Sequence, residues 1–421
     1  MLFSYLQNLK AGLLPWTQIS SPKVMKVLIQ LTLSGTIFVL LLLYSPTLLD
    51  WEPKAYSIPF PAFNGPLAEN YKLSAAEELF KGVLHGPESI VFHKGDMYTG
   101  LEDGRIVKIQ GDKITTMAQT GRQCIMPYEE RLCGRPLGLR IGKDGLLYVI
   151  DAYYGIFTMN FTTGALTKIL ASSVQVEGQK LNFPDDLDLD DEGNIYFSDA
   201  STKWDLSTIY FLMTEYEGGG RIIRYNMNTG ETEVLLRNLY FPNGVQLSKD
   251  KKSLLICEIS NRRILRYNLK GPKKGKLEVF ADVLPAEPDN IRPSPRGYWV
   301  GFTSARNSTN ALFMDKLNAY PLIKFIWGRA HHAAGTFLTV LADLSTVPAF
   351  KEFAYRYKRG DYVLPLLRRH GIIIEFDENG KMLRSLHSPD GKISDLSQVT
   401  EHEGYLYLGS FINDYLGKLK L

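Results

Sequence analysis

The chain has 421 residues, 45% of them hydrophobic and 22% charged, with 48 basic against 45 acidic side chains. A formal net charge of +3 excludes the basic footprint of a nucleic-acid binder, and this apolar content excludes a disordered chain. Length alone suggests two or three domains of ordinary size, and the 23 tyrosines and 21 phenylalanines suit strands.

The first element in chain order is an apolar run. Val27 to Tyr44 contains no charged residue, and counting on to Leu49 reaches the roughly 20 residues that cross a bilayer core. A cleaved signal peptide is the rival reading, but its core is usually shorter and a small-residue cleavage site should follow. Tyr44–Leu49 makes a poor site. Lys10, Lys23 and Lys26 precede the run, and Asp50 and Glu52 follow it. The positive-inside rule then predicts a cytoplasmic tail at 1–26, an anchor at 27–49 and a domain at 50–421 outside the cytoplasm. This is a single-pass type II arrangement in the plasma membrane or the endoplasmic reticulum. Two sequons agree with that side: Asn160-Phe161-Thr162, in a turn between strand patterns, and Asn307-Ser308-Thr309.

After the anchor a unit recurs six times, each with a short alternating strand, a turn and a more apolar strand. The opening strands are Pro87–Phe92, Pro136–Ile141, Pro184–Leu189, Pro242–Leu247, Pro288–Pro293 and Leu396–Glu401. The following strands are Asp96–Tyr98, Leu146–Asp151, Asn194–Asp199, Ser253–Glu258, Gly297–Gly301 and Tyr405–Gly409. Most units show a third and fourth strand, and the period of roughly 45–60 residues fits four-stranded propeller blades. The reading is all-β: a six-bladed β-propeller in one domain, its last blade completed by Gly417–Leu421 with residues after the anchor.

Cys124 and Cys133 lie close together in a Gly/Pro/polar stretch and read as a disulfide closing a short loop; Cys257, in an apolar run, reads as a buried free thiol. The alternative is three unrelated thiols. The unit near blade 5 is stretched by a segment of helical period at about 304–369, too long for a structureless loop. It reads as a packing cap, or as a lid or vestibule for a hydrophobic ligand that touches the membrane. His331-His332 within it reads as surface.

Aligning the units on their proline places Glu88, Leu137, Asp185, Asn243, Asp289 and Ser397 at one position, facing the central channel. The adjacent Asn290 and Asp186 are further candidates for the same site. Carboxylates brought that close repel one another and resist burial, so a cation is their natural neutraliser. An all-oxygen set suits calcium rather than zinc. The bland alternative is that Pro-Asp and Pro-Asn-Gly are ordinary turn formers. No Gly-x-Ser-x-Gly elbow, P-loop or Cys-x-x-Cys is present.

Cys133–Gly138, Tyr196–Trp204, Phe241–Ser248, Pro288–Pro293 and Glu401–Ser410 resemble the strictosidine synthase-like propellers over most of the chain. The resemblance implies kinship with calcium-dependent lactonases and paraoxonases, an arylesterase-like activity, and pairing of Cys124 with Cys133. It also implies a calcium set of Glu88, Asp185, Asn243, Asp289 and Asn290, with Asp185 standing where asparagine is usual. The paraoxonase catalytic histidine falls at Leu137, and the plant synthases' glutamate at Ser397, so the alkaloid condensation is not expected. The expectation is a membrane-anchored ester hydrolase acting on a small aryl ester or lipid-like ligand. Its base would be Asp185 or a water held by the metal. The rival is a non-catalytic surface propeller binding a lipid or a protein.

Overall fold

The computed structural model describes residues 22–44, 49–124, 126–311, 313–366 and 369–421. Among them are six four-stranded antiparallel sheets and one two-stranded hairpin, which makes the domain predominantly β and propeller-like. In five of the four-stranded sheets the strands follow chain order; in the sixth, Glu77–Leu79 pairs with the final strand Leu416–Lys420. That pairing ties the first strand of the domain to its last, so no sheet is left to close the ring alone.

The first strands of the six sheets are Ile90–His93, Pro136–Ile141, Pro184–Leu189, Pro242–Leu247, Pro288–Ser294 and Gln398–His402. Each touches the next, and the last touches the first. The outer strands leave room between sheets, which apolar clusters fill. Ile150, Ile156 and Leu170 of one sheet meet Leu187, Phe197 and Ile223 of the next; Leu255 and Ile264 likewise meet Ile291, Val300 and Phe376. The innermost strands approach so closely that a Cβ on Gly244 would lie 2.4 Å from the Asp289 carbonyl oxygen, which explains why glycine follows Pro242-Asn243.

Cys124 and Cys133 form the expected disulfide, and Cys257 is a buried free thiol. Asn160 lies exposed in its turn, and Asn307 is half-buried at the start of another. The stretched unit is helical: Phe313–Leu317, Pro321–Leu344 and Pro348–Arg359 lie between Gly297–Phe302 and Gly371–Asp377. His331 is not at the surface as expected. It is buried, with Nε2 3.1 Å from the Lys358 carbonyl and Nδ1 3.1 Å from the Tyr362 hydroxyl. Near the N-terminus, Pro22–Tyr44 is a helix. Among the described residues no helix is long and apolar enough to cross a membrane. The anchor expected at 27–49 therefore rests on the sequence; residues 45–48 of it, and most of the expected tail, lie outside the described residues.

Residues 63–74 strap the outer edge of the fifth sheet, and a buried histidine pair fastens them there. His370 Nε2 lies 3.0 Å from His387 Nδ1, His387 Nε2 lies 2.8 Å from Ser385 Oγ, and Ser385 donates to the Pro66 carbonyl at 2.8 Å. Burial, and then the neighbouring His370, push His387 down to about 4. Because this folded value is depressed, its stability is present above the unfolded value near 6.5 and is lost as pH falls from there toward 4. Between pH 7 and pH 5 the domain should lose about 2 kcal/mol through this group. Denaturant midpoints at the two pH values check it; in His387→Asn the pH-dependent loss should shrink by that amount.

Candidate functional site

Four of the six inner strands open on proline, which has no N–H to donate to the sheet ladder. In four of the six strands a register shift follows immediately, between Pro136 and Leu139, Pro184 and Leu187, Pro242 and Val245, and Pro288 and Ile291. Such bulges re-aim side chains, and here they fall at the two positions after the proline. Glu88, Leu137, Asp185, Asn243 and Asp289 all line one cavity of about 250 Å³, and Ser397 hydrogen-bonds to Asp289 beside it.

The five residues expected as ligands are brought together. Asn243 Nδ2 donates to Asp185 Oδ2 at 3.0 Å, and Asn290 Nδ2 donates to Glu88 Oε1 at 3.3 Å. None of the five is more than 5% exposed. Glu88 Oε2, Asp185 Oδ1, Asn243 Oδ1, Asp289 Oδ1 and Asn290 Oδ1 are each buried with no protein hydrogen-bond partner. An orphaned buried oxygen is costly, and five on neighbouring residues form a donor set without a donor to it. Burial, then mutual repulsion, raises the carboxyls: Glu88 to about 8, Asp185 well above the usual range, and Asp289, mainly by burial, to about 7. Among the described residues no group of three or more His, Cys, Asp or Glu side chains is arranged to hold a metal ion by itself. A cation here would draw on the amide oxygens of Asn243 and Asn290 as well as on the three carboxylates. That mix of hard oxygen donors fits calcium.

Asp186 is not part of this set, although it is adjacent in sequence. It turns below the cavity, where Arg292 grips it with two hydrogen bonds of 2.9 and 3.1 Å and Arg140 with one of 3.3 Å. Burial pushes its carboxyl up, but the two guanidinium groups prevail and hold it below the ordinary value. Arg140, Asp188, Gln246 and Arg292 form this second layer, each four residues after its proline. Gln246 Nε2 donates to Asp188 Oδ2 at 2.8 Å, and Arg140 Nε lies 3.6 Å from Asp188 Oδ1. The alignment that exposes the first layer contains the second; its signal was the repeated charge at that offset.

Above the carboxylates the walls are largely apolar, with Phe183, Leu206, Ile209, Phe241, Ile259 and Met314. The rim carries charges that the repeats did not reveal. Glu287 and Asp315 alternate with Arg262 and Arg306: Arg262 pairs with Asp315 and lies 3.5 Å from Glu287, while Arg306 pairs with Glu287 and lies 3.6 Å from Asp315. Burial raises the Glu287 carboxyl, but Arg306 and Arg262 outweigh it and bring it to about 2. These four side chains come from separate segments, so no local motif announces them. Arg359, Gly360, Asp361 and Val363 of the insertion also line the cavity, so the helical segment roofs part of its mouth. The roof is fastened by Tyr355 and Tyr153, whose hydroxyls both bond Glu130 in the disulfide-closed loop. Among the described residues no histidine lines the cavity, and Leu137 stands at the first-layer position of its strand.

Comparison with known proteins gives two family matches: strictosidine synthase over residues 185–272, and the strictosidine synthase-like N-terminal family over residues 65–109. The adipocyte plasma membrane-associated protein of Salmo salar is 37% identical over 96% of this chain and 92% of its own. The Homo sapiens protein of that name is 38% identical over 91% of this chain and 86% of its own. Among solved structures, a gluconolactonase from Xanthomonas campestris aligns with a TM-score of 0.51 at 14% identity, covering 89% of this chain and 98% of that one. That likeness concerns the fold alone.

Proposed function

The chain belongs to the strictosidine synthase-like family, with the adipocyte plasma membrane-associated proteins, and from that premise we propose a membrane-anchored, arylesterase-like hydrolase built on a six-bladed propeller with calcium in its channel. The observation that carries the reading is the set of five orphaned buried oxygens on Glu88, Asp185, Asn243, Asp289 and Asn290. Those residues would hold the ion. Bound there, calcium would polarise an ester carbonyl and stabilise the charge that develops on its oxygen.

The protein's own groups divide the remaining work. Phe183, Leu206, Phe241 and Ile259 offer an apolar wall for an aryl or acyl group and exclude water from it. Asp185 Oδ1 goes to the ion, so Asp185 would serve as the base only through Oδ2, which Asn243 Nδ2 holds at 3.0 Å. The anchor at 27–49 rests on the uncharged run, with the names of the relatives in support. Asn160 and Asn307 are proposed glycosylation sites on the side away from the cytoplasm.

Leu137 favours a second reading, in which the same channel binds a lipid or a protein without turnover. Phenyl acetate hydrolysis by the purified chain decides between them. The hydrolase reading predicts turnover that a calcium chelator abolishes, with Asn243→Ala impaired at ordinary calcium. Activity indifferent to both changes would sink the calcium mechanism; a folded chain with no turnover would leave the binding role.

A further inference from the structure

The long insertion helix, Pro321–Leu344, is amphipathic in the wrong sense for a helix in water. Its polar side chains Lys324, Arg329 and His331 are buried against the protein. Its outward stripe is Ile323, Trp327, Phe337, Leu341 and Leu344, spaced three, four or seven to ten residues apart on one face, with Phe337 63% and Leu344 80% exposed. Each of these inward side chains has a protein partner. Lys324 Nζ donates to Asn318 Oδ1 at 3.2 Å and to the Lys54 carbonyl at 3.4 Å, and His331 holds Lys358 and Tyr362. The helix is thus held firmly by its polar side and presents its apolar side outward.

What covers that side follows from where the anchor ends. The Leu49 carbonyl accepts a hydrogen bond from Arg329 Nη2 at 3.3 Å, and the buried Trp51 packs on Gly328, where a Cβ would fall 2.0 Å from the indole. The N-terminal helix Pro22–Tyr44 also contacts the long helix. The chain leaving the anchor is therefore pinned in the first half of a 24-residue helix, about 36 Å long, whose apolar face stays largely exposed among the described residues.

We propose that this helix lies in the membrane interface on the non-cytoplasmic side, with Ile323, Trp327, Phe337, Leu341 and Leu344 among the lipid acyl chains. The proposal rests on the anchor reading above. An interfacial helix of this kind sits roughly 5–10 Å deep, parallel to the surface. It would fix the propeller's orientation on the bilayer and bring the cavity mouth, roofed by Arg359–Val363 of the same insertion, close to the lipid.

The test uses the full chain in phosphatidylcholine vesicles, with a nitroxide on Phe337→Cys, on Leu344→Cys or, as a marker for the anchor, on Leu33→Cys. Cys257 is buried and Cys124 is paired with Cys133, so the introduced thiol takes the label. At positions 337 and 344 collisions with oxygen should dominate, and collisions with a water-soluble nickel chelate should be lost, as at position 33. Nickel collisions at 337 and 344 with position 33 shielded would overturn the proposal and spare the anchor. Nickel collisions at all three would overturn both. Spin–spin broadening at 337 that disappears on dilution with unlabelled chain would mean that a second copy covers the helix, and would also overturn it.

Discussion

Asp186→Asn should destabilise the domain by about 3–5 kcal/mol, the usual cost of removing one partner from a buried ion pair. The carboxylate is fully buried and accepts from Arg292 at 2.9 and 3.1 Å, from Arg140 at 3.3 Å and from the Val245 amide at 3.0 Å. Asparagine keeps the shape but removes the charge, and turns an amide donor toward groups that are themselves donors. Asp188 remains to balance Arg140, 3.6 Å away, so Arg292 is left as the uncompensated charge. Adding Arg292→Met should recover part of the loss, because the orphaned charge goes with it. Denaturant unfolding of the three chains measures this. A loss below about 1 kcal/mol in the single variant would mean that the second layer of the channel is not held as described.

Asp289→Ala should lower calcium-dependent ester turnover by about 10²–10³-fold, the range typical of removing one preorganised electrostatic contact. Its effect on stability should change sign with calcium. Without the ion, the carboxyl is buried near Glu88 and Asp185 and pushed up to about 7, so removing it relieves repulsion. The variant in chelator should melt no lower than the parent chain in chelator. With calcium in excess the parent gains stability from the bound ion, about 2.7 kcal/mol at a hundred times the dissociation constant, and the variant gains little. Thermal melting in both conditions reads this without any substrate. Equal calcium shifts in the two chains would remove Asp289 from the ligand set.

The first layer of the channel was legible because a propeller repeats its inner strand. Once six units were aligned on proline, the side chain after it had to face the axis in each. The same alignment already held Arg140, Asp188, Gln246 and Arg292 at the fourth position, and so the partners that take Asp186 out of the ligand set. The bulges put the ligands next to the proline, and the pairing of the fourth position with Asp186 has no signature of its own in the repeat. His331 misled for a different reason. A doublet of histidines with no carboxylate at metal spacing reads as surface, but Lys324, Gly328, His331 and Gly335 share one helical face, and that face is the buried one. The rim of Arg262, Glu287, Arg306 and Asp315 had no legible signal, since four distant segments meet there and each charge alone is ordinary. Helical period marked the insertion at 304–369. Which of its faces turned outward depended on contacts with Leu49 and Trp51 that no local pattern contains.

The channel's capacity to hold calcium is tested most directly by equilibrium dialysis of the full chain in detergent against radioactive calcium. The prediction is one ion retained per chain, lost in Asp289→Ala and in Asn243→Ala while both variants stay folded. A folded parent chain that retains no calcium, or retention that neither substitution reduces, would contradict it.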